Sequence, residues 1–192
     1  MRPIVLERAD KHLMGLDLAS KLMQDKIIML DEEITEEFAS QVITQLLYLK
    51  SIAAVKNPEA ITIFVNNPGG SVYAGLGIYD MMENVKAAGI TIKTRGIGLA
   101  ASMGSFLLSA GSKGERKVFP NCTIMIHQPL MGAAGQVSDV KITYEEGQRL
   151  KDKLTNLYIK HGAVSNLSEF MDRDNWLTAE KAIELGLIDG II

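Results

Sequence analysis

The chain has 192 residues, enough for one well-buried core and too few for two ordinary domains, so a single domain over residues 1–192 is expected. With 47% hydrophobic residues, 22% charged residues and a net charge of -3, the composition excludes an electrostatic bias toward nucleic acid or an acidic membrane. The single cysteine, Cys122, excludes an internal disulfide and leaves too few thiols for a zinc or iron–sulfur site, so the expectation is a small buried hydrophobe, no metal and a reducing compartment.

The first residues mix acidic and basic side chains where a signal peptide needs an apolar run. The longer uncharged tracts, 96–112 and 118–138, are broken by Gly, Pro, Asn, Gln and His, so neither suits a membrane span. A cytoplasmic location is expected. Asp17-Leu-Ala-Ser-Lys-Leu-Met suggests a short helix and Lys26-Ile-Ile-Met-Leu a strand. From Thr35, a candidate N-cap followed by Glu36 and Glu37, apolar residues recur at Phe38, Val42, Leu46 and Leu49, one helical face that stops before Lys56-Asn-Pro.

Ile61-Thr-Ile-Phe-Val is a β-rich run that enters the turn Asn66-Asn-Pro-Gly-Gly. Helical spacing returns over residues 72–88, with Gly89 as the stop, and Ile90-Thr-Ile-Lys-Thr is the next strand. It delivers the chain into the Gly-rich stretch 96–111, where Ser102 sits among small residues at the point where a turn meets an apolar helix. Strand, glycine turn and helix thus occur twice in succession, which predicts an α/β fold.

Lys117-Val-Phe-Pro and Thr123-Ile-Met-Ile-His are two short strands, and His127 ends the second. Residues 128–137, rich in Gly and Ala, form an extended or mobile arm, after which Ser138 is the expected cap of a helix to about His161. Its apolar face comprises Val140, Tyr144, Leu150, Leu154, Leu157 and Tyr158. A short helical turn, then Asp172-Arg-Asp-Asn-Trp, then a helix from Thr178 to a Gly186 stop complete the chain before the terminal Leu187-Ile-Asp-Gly-Ile-Ile.

A serine hydroxyl is a poor nucleophile at neutral pH and needs an imidazole as base and a carboxylate to hold that imidazole. His12 lies in a charged segment, and His161 ends a helix, where its charge would complement the helix dipole. His127 alone ends an apolar strand. The acid is not chosen by spacing among 23 carboxylates; Asp172 and Asp174, near Trp176, are candidates because partly apolar surroundings would order them.

Asn67-Pro-Gly-Gly-Ser-Val, Gly98-Leu-Ala-Ala-Ser-Met-Gly-Ser-Phe-Leu-Leu and Met125-Ile-His-Gln-Pro-Leu resemble, in order and separation, three motif blocks of the Clp protease proteolytic-subunit family, ClpP. Gly132-Ala-Ala-Gly-Gln-Val-Ser-Asp, Asp172-Arg-Asp-Asn-Trp-Leu-Thr-Ala-Glu-Lys-Ala and Leu185-Gly-Leu-Ile-Asp extend the resemblance over nearly the whole chain. It implies a ClpP/crotonase-like spiral of repeated ββα units, with an axial N-terminal segment over about residues 1–25 and a protruding strand–helix handle over about 128–161.

For the site, the resemblance implies Ser102 as nucleophile, His127 as general base, Asp174 as the third member, and the backbone N–H groups of Gly70 and Met103 as the oxyanion hole. Gly70, Ser71, Val72 and Leu130 would bind an extended peptide by main-chain pairing, and Arg173 would serve contacts between rings. It further implies hydrolysis of unfolded polypeptides inside two stacked heptameric rings, with an AAA+ unfoldase as partner. That partner uses ATP; the subunit itself carries no cofactor. Asn67 departs from the family, which has Ser at that position.

Two readings of other classes stand beside this one. A non-catalytic structural subunit of a mixed ring would be marked by loss of a triad residue. A crotonase-type acyl-CoA enzyme would use the glycine donors without the pairing of Ser102 and His127.

Overall fold

The computed structural model describes residues 4–9, 12–56 and 60–192. Two antiparallel strands, β1 (Ile4–Ala9) and β2 (His12–Asp17), pair as a small sheet of their own. The mixed charges of this region do not announce that hairpin. Asp17 then caps α1 (Leu18–Gln24) by accepting the Ser20 N–H at 2.8 Å, and β3 (Ile27–Leu30) follows as expected.

Helix α2 (Glu36–Lys56) starts at the predicted cap, where Thr35 Oγ1 accepts the Phe38 N–H at 3.1 Å, and it buries the predicted face of Phe38, Val42, Leu46 and Leu49. It runs through Lys56, one residue past the expected stop. Strand β4 (Ile61–Asn67) leads through the Gly69-Gly70 turn into α3 (Val72–Ala87), whose cap is Ser71, accepting the Ala74 N–H.

The strand after α3 is longer than the sequence pattern suggests. β5 (Ile92–Ala101) runs straight through Gly96 and Gly98, so the turn comes only at Ser102, immediately before α4 (Met103–Ser109). The glycines serve the strand itself. The β4–β5 register slips between Val65, which faces Gly96, and Asn67, which faces Ala100, and Gly98 adopts φ 63° in the resulting bulge. There the Asn66 carboxamide oxygen accepts the Leu99 N–H at 3.2 Å, and a Cβ on Gly98 would stand 2.8 Å from that oxygen.

The remaining elements are β6 (Arg116–Val118), β7 (Thr123–Ile126), α5 (Val137–Lys160), α6 (Leu167–Phe170), β8 (Asn175–Leu177), α7 (Ala179–Glu184) and β9 (Gly190–Ile191). The main sheet has the order β3-β4-β5-β6-β9 with every neighbouring pair parallel. β7 pairs in parallel with the far half of β5, and β8 pairs antiparallel with β7. Repeated strand–helix units around a parallel sheet make this the expected α/β architecture.

All seven residues of α4 are buried. Phe106 packs with its ring centroid 5.2 Å from those of Tyr79 of α3, tilted, and Tyr158 of α5, edge-on, which ties three helices together. Cys122 is 3% exposed and burial pushes its thiol up to about 11, the behaviour of a buried hydrophobe.

Three sequence expectations for the arm and long helix change. Residues 127–136 form no strand: among the described residues none of the chain's strands pairs with them, and the Gln128 N–H bonds to the loop carbonyl of Met171. The cap of α5 is Gln136, with Ser138 already inside the helix. Val140 and Tyr144 are exposed, because the first turns of α5 extend beyond the body and only the later residues, among them Leu150, Leu154 and Tyr158, reach the core. No helix among the described residues is long and apolar enough to cross a membrane.

Candidate active site

Strand register brings the predicted side chains together. Ala101 faces Met125 in the β5–β7 ladder, and one step further the Ser102 N–H donates to Met125 O at 2.9 Å. In the antiparallel β7–β8 ladder Ile126 faces Asn175, so the next positions outward, His127 and Asp174, lie opposite each other. Three strand ends therefore deliver Ser102, His127 and Asp174 to one place.

The hydrogen bonds are those of a relay. Ser102 Oγ lies 2.8 Å from His127 Nε2, and His127 Nδ1 lies 3.0 Å from Asp174 Oδ1. The consistent assignment has Ser102 donating to a neutral imidazole whose Nδ1–H donates to the carboxylate. The Asp174 side chain is 59% exposed and Trp176 is 60% exposed, so the expected apolar surroundings are absent. The aspartate is ordered by His127 and by its loop: the Gln128 N–H donates to Met171 O at 2.6 Å and its side chain to Asp172 O at 2.7 Å.

Ser102 has φ 52° and ψ -125°, a left-handed conformation unusual for a side-chain-bearing residue and worth about 1–3 kcal/mol of strain. Surrounding bonds impose it. Besides the N–H bond to Met125, the Ser102 carbonyl accepts from Phe106 N–H at 3.1 Å and from Ser105 Oγ at 2.7 Å. This is the sharp strand-to-helix turn that projects a nucleophile.

The glycine turn is built against the same serine. Ile34 forms an isolated parallel bridge with Gly70, in which the Ile34 N–H donates to Gly69 O at 2.8 Å and the Ser71 N–H to Ile34 O at 2.7 Å. Alternation along the backbone turns the N–H of Gly70, φ 142°, away from Ile34. Ser71 is engaged within the chain, its hydroxyl 3.0 Å from Glu36 Oε1. Asn67, wholly buried, stitches the turn to the loop before α2, accepting the Gly69 N–H at 2.8 Å and donating to Glu32 O at 2.6 Å. The sequence flagged Asn67 only as a departure; its carboxamide fills the role by donating through nitrogen and accepting through oxygen at once.

Val72 lines a small cavity with Ser102 and His127, whereas Leu130 is 84% exposed and borders an open groove with His127, Asp172, Arg173 and Asp174. The Arg173 side chain is 83% exposed and pairs only locally, 3.5 Å from Asp172. The third histidine is not charged as the sequence suggests: burial, with Lys86, Lys160 and Arg116 nearby, lowers the pKa of His161 to about 4. Among the described residues no group of three or more His, Cys, Asp or Glu could hold a metal ion.

The family model described as Clp protease matches residues 10–192 of the chain. The chain belongs to the Clp protease family. A relative from Bacteroides fragilis is 44% identical over 100% of this chain and 91% of its own length. Others are 42% identical in Bacteroides thetaiotaomicron, over 100% and 86%, and 43% identical in Bdellovibrio bacteriovorus, over 99% and 89%. Each is named an ATP-dependent Clp protease proteolytic subunit. For a Clp protease chain, the relay through Ser102, His127 and Asp174 has the geometry of a ClpP-type serine endopeptidase.

Proposed function

We propose that this chain is the peptide-hydrolysing subunit of a Clp-type serine protease, with Ser102 as nucleophile, His127 as general base and Asp174 as the residue that orients and stabilises the imidazole. The observation that carries the reading is the continuous bond path from Ser102 Oγ to His127 Nε2, 2.8 Å, and from His127 Nδ1 to Asp174, 3.0 Å. His127 takes the serine proton as Oγ attacks the scissile carbonyl, then returns it to the departing amine as the C–N bond breaks. Water, deprotonated by the same imidazole, attacks the acyl-enzyme and releases the carboxylic acid and free Ser102.

The backbone N–H groups of Gly70 and Met103 bind the oxyanion. The amide of Gly70 faces away from Ile34, and that of Ser102 is committed to Met125 O, which leaves Met103 as the neighbouring donor. One such donor is worth about 3–4 kcal/mol in the transition state. Substrate lies extended beside residues 70–72, where Ser71 holds the strand in place, and near Leu130, a main-chain mode indifferent to most side chains. Unfolded polypeptides are the substrate class that such a mode suits.

The whole chain acts as one domain, with the β1–β2 hairpin in the axial segment and residues 128–161 as the handle. Val137, Ile142 and Tyr144, all exposed on the first turns of α5, and Arg173 beside the site support assembly through this face, as two stacked heptameric rings. An AAA+ unfoldase that spends ATP feeds the chamber, and the cytoplasm is its location. A fluorophosphonate probe is expected to label Ser102 alone in the assembled protein, with peptidase activity lost in Ser102→Ala. An unlabelled Ser102, with Ser102→Ala as active as the parent, overturns the reading.

A further inference from the structure

Alternation along β4 places Ile61, Ile63 and Val65 on its buried face and asks for an apolar side chain at the last position as well. Asn67 stands there instead, with no exposed surface. A carboxamide buried in this way costs free energy unless it is bonded at both ends, and it is: its oxygen accepts the Gly69 N–H at 2.8 Å and its nitrogen donates to Glu32 O at 2.6 Å. Core packing alone does not ask for those two bonds, so their use lies in what they hold.

They hold the peptide planes around Gly70. The Gly70 N–H shares a plane with Gly69 O, and in a trans peptide the two point in opposite directions. The Ile34 N–H donates to that carbonyl at 2.8 Å, so Ile34 sets the direction of the Gly70 N–H, while Asn67 fixes the preceding plane through the Gly69 N–H. Gly69 and Gly70, at φ 103° and 142°, have no Cβ to restrict them, so bonds rather than sterics define these planes. The second bond of Asn67 anchors Glu32, in the same short segment as Ile34. On its other side Asn67 meets the first turn of α4: a Cβ on Gly104 would stand 2.8 Å from Asn67 O and 2.9 Å from its Cβ. Gly104 follows Met103, so Asn67 lies between the segments that carry the two oxyanion donors.

We propose that Asn67 is a positioning residue for the oxyanion hole, its carboxamide holding the Gly70 N–H at the angle, and at the distance from the Met103 N–H, that a developing oxyanion requires. The proposal rests on the serine endopeptidase reading and on its choice of donors. Asn67 is wholly buried and meets no substrate; it acts through Gly69, Glu32 and Gly104. The two donors bond fully only when charge has developed on the carbonyl oxygen, so loosening them lowers kcat and leaves KM in place.

The test measures kcat and KM of the assembled enzyme on one fluorogenic peptide in the parent, Asn67→Ala and Asn67→Ser. Deleting an oxyanion donor outright costs about 10²–10³-fold in kcat, and Asn67→Ala, which loosens one, is expected to lower kcat about 10–100-fold with KM within about threefold. A serine hydroxyl can accept the N–H two residues on but is too short to reach Glu32 O, so Asn67→Ser is expected to recover about two- to tenfold, the worth of one hydrogen bond. It decides the matter if Asn67→Ala does not fold. A peptide boronate, whose adduct on Ser102 places an oxygen in the oxyanion position, separates positioning from general loosening: its affinity is expected to fall by the same factor as kcat, while the same peptide as a carboxamide, which forms no adduct, binds as to the parent. Folded variants with parental kcat, a loss that appears in KM instead, or boronate and carboxamide weakened alike overturn the positioning role alone, provided that fluorophosphonate still labels Ser102. Failure to label Ser102, with activity kept in Ser102→Ala, overturns the underlying reading and this proposal with it.

Discussion

A Cβ placed on Gly69 would stand 2.6 Å from the Cβ of Ser102, closer than real Cβ contacts come. Gly69 also has φ 103°, where an L side chain is strained whatever the space. The turn after β4 thus comes directly against the nucleophile because one residue has no side chain. Gly69→Ala is expected to displace Ser102 and lower kcat/KM by about 100-fold or more, in line with the cost of a 1 Å misplacement. Fluorophosphonate labelling at the parental rate would contradict it.

The sequence left Asp172 and Asp174 both open, and the β7–β8 register separates them. Asp174→Asn is expected to keep the geometry and lower kcat by about 10²–10⁴-fold, the upper end being what the wrong imidazole tautomer costs at a buried triad. Its exposure, 59%, moves the expectation below that limit, because water can solvate the imidazolium in its place. Asp172→Asn is expected to leave kcat within about threefold, since its pair with Arg173 is a surface one. Steady-state kinetics on one peptide substrate distinguishes the two, and equal losses would remove Asp174 from its role.

What the sequence revealed and what it hid divide along the range of the interactions. Thr35 caps the helix that local pattern assigns to it, and the helix read from Thr178 starts there, whereas the cap of α3, Ser71, was not read from the sequence. Ser102 and His127 were legible because each ends an apolar run. Asp174 was not legible in the local pattern and came only from the family resemblance, because its position is set by antiparallel pairing across 47 residues, which no local window contains. Gly96 and Gly98 suggested a turn where β5 continues, since a bulge and a turn draw on the same backbone freedom. Tyr158 fell on the predicted apolar face of α5, but nothing in that periodicity points to its partner, Ser105, 53 positions away.

Arg116 and Asp189 form the most enclosed ion pair described, with side chains 4% and 16% exposed. Burial pushes the Asp189 carboxyl up, but hydrogen bonds from the Arg116 side chain and from the Arg116 and Gly114 N–H groups outweigh it and hold the carboxyl below its ordinary value. Arg116 also donates to His161 O at 2.6 Å and Gly186 O at 3.2 Å, joining the end of α5 to the C-terminal strand. Asp189→Asn leaves a buried guanidinium without its counter-charge and is expected to cost about 3–5 kcal/mol. Arg116→Lys is expected to be nearly as damaging, because an ammonium cannot fork among these acceptors. Urea unfolding midpoints test both, and a loss under about 1 kcal/mol for Asp189→Asn would mean that the pair is not holding this edge.

His161 gives stability a pH dependence whose sign can be worked out. Its ring is 10% exposed, accepts at Nε2 from the Tyr79 hydroxyl at 3.2 Å, and has Lys86, Lys160 and Arg116 as cationic neighbours opposed by Glu83. Burial first, and those cations second, lower its pKa from 6.5 to about 4. Between these values the unfolded chain binds a proton that the folded chain refuses, so stability is full above about pH 6.5 and falls as pH drops toward 4, by up to about 3 kcal/mol. Glu83 and Asp189, both held below their ordinary values, act lower still: their contributions are present above the unfolded carboxylate pKa and are lost as pH falls through the folded values. His161→Gln, which keeps an acceptor for Tyr79 and does not titrate, is therefore expected to flatten the unfolding free energy between pH 6.5 and 4.5 while leaving the decline at lower pH. A parental profile already flat in that interval would mean that His161 is protonated in the folded chain after all.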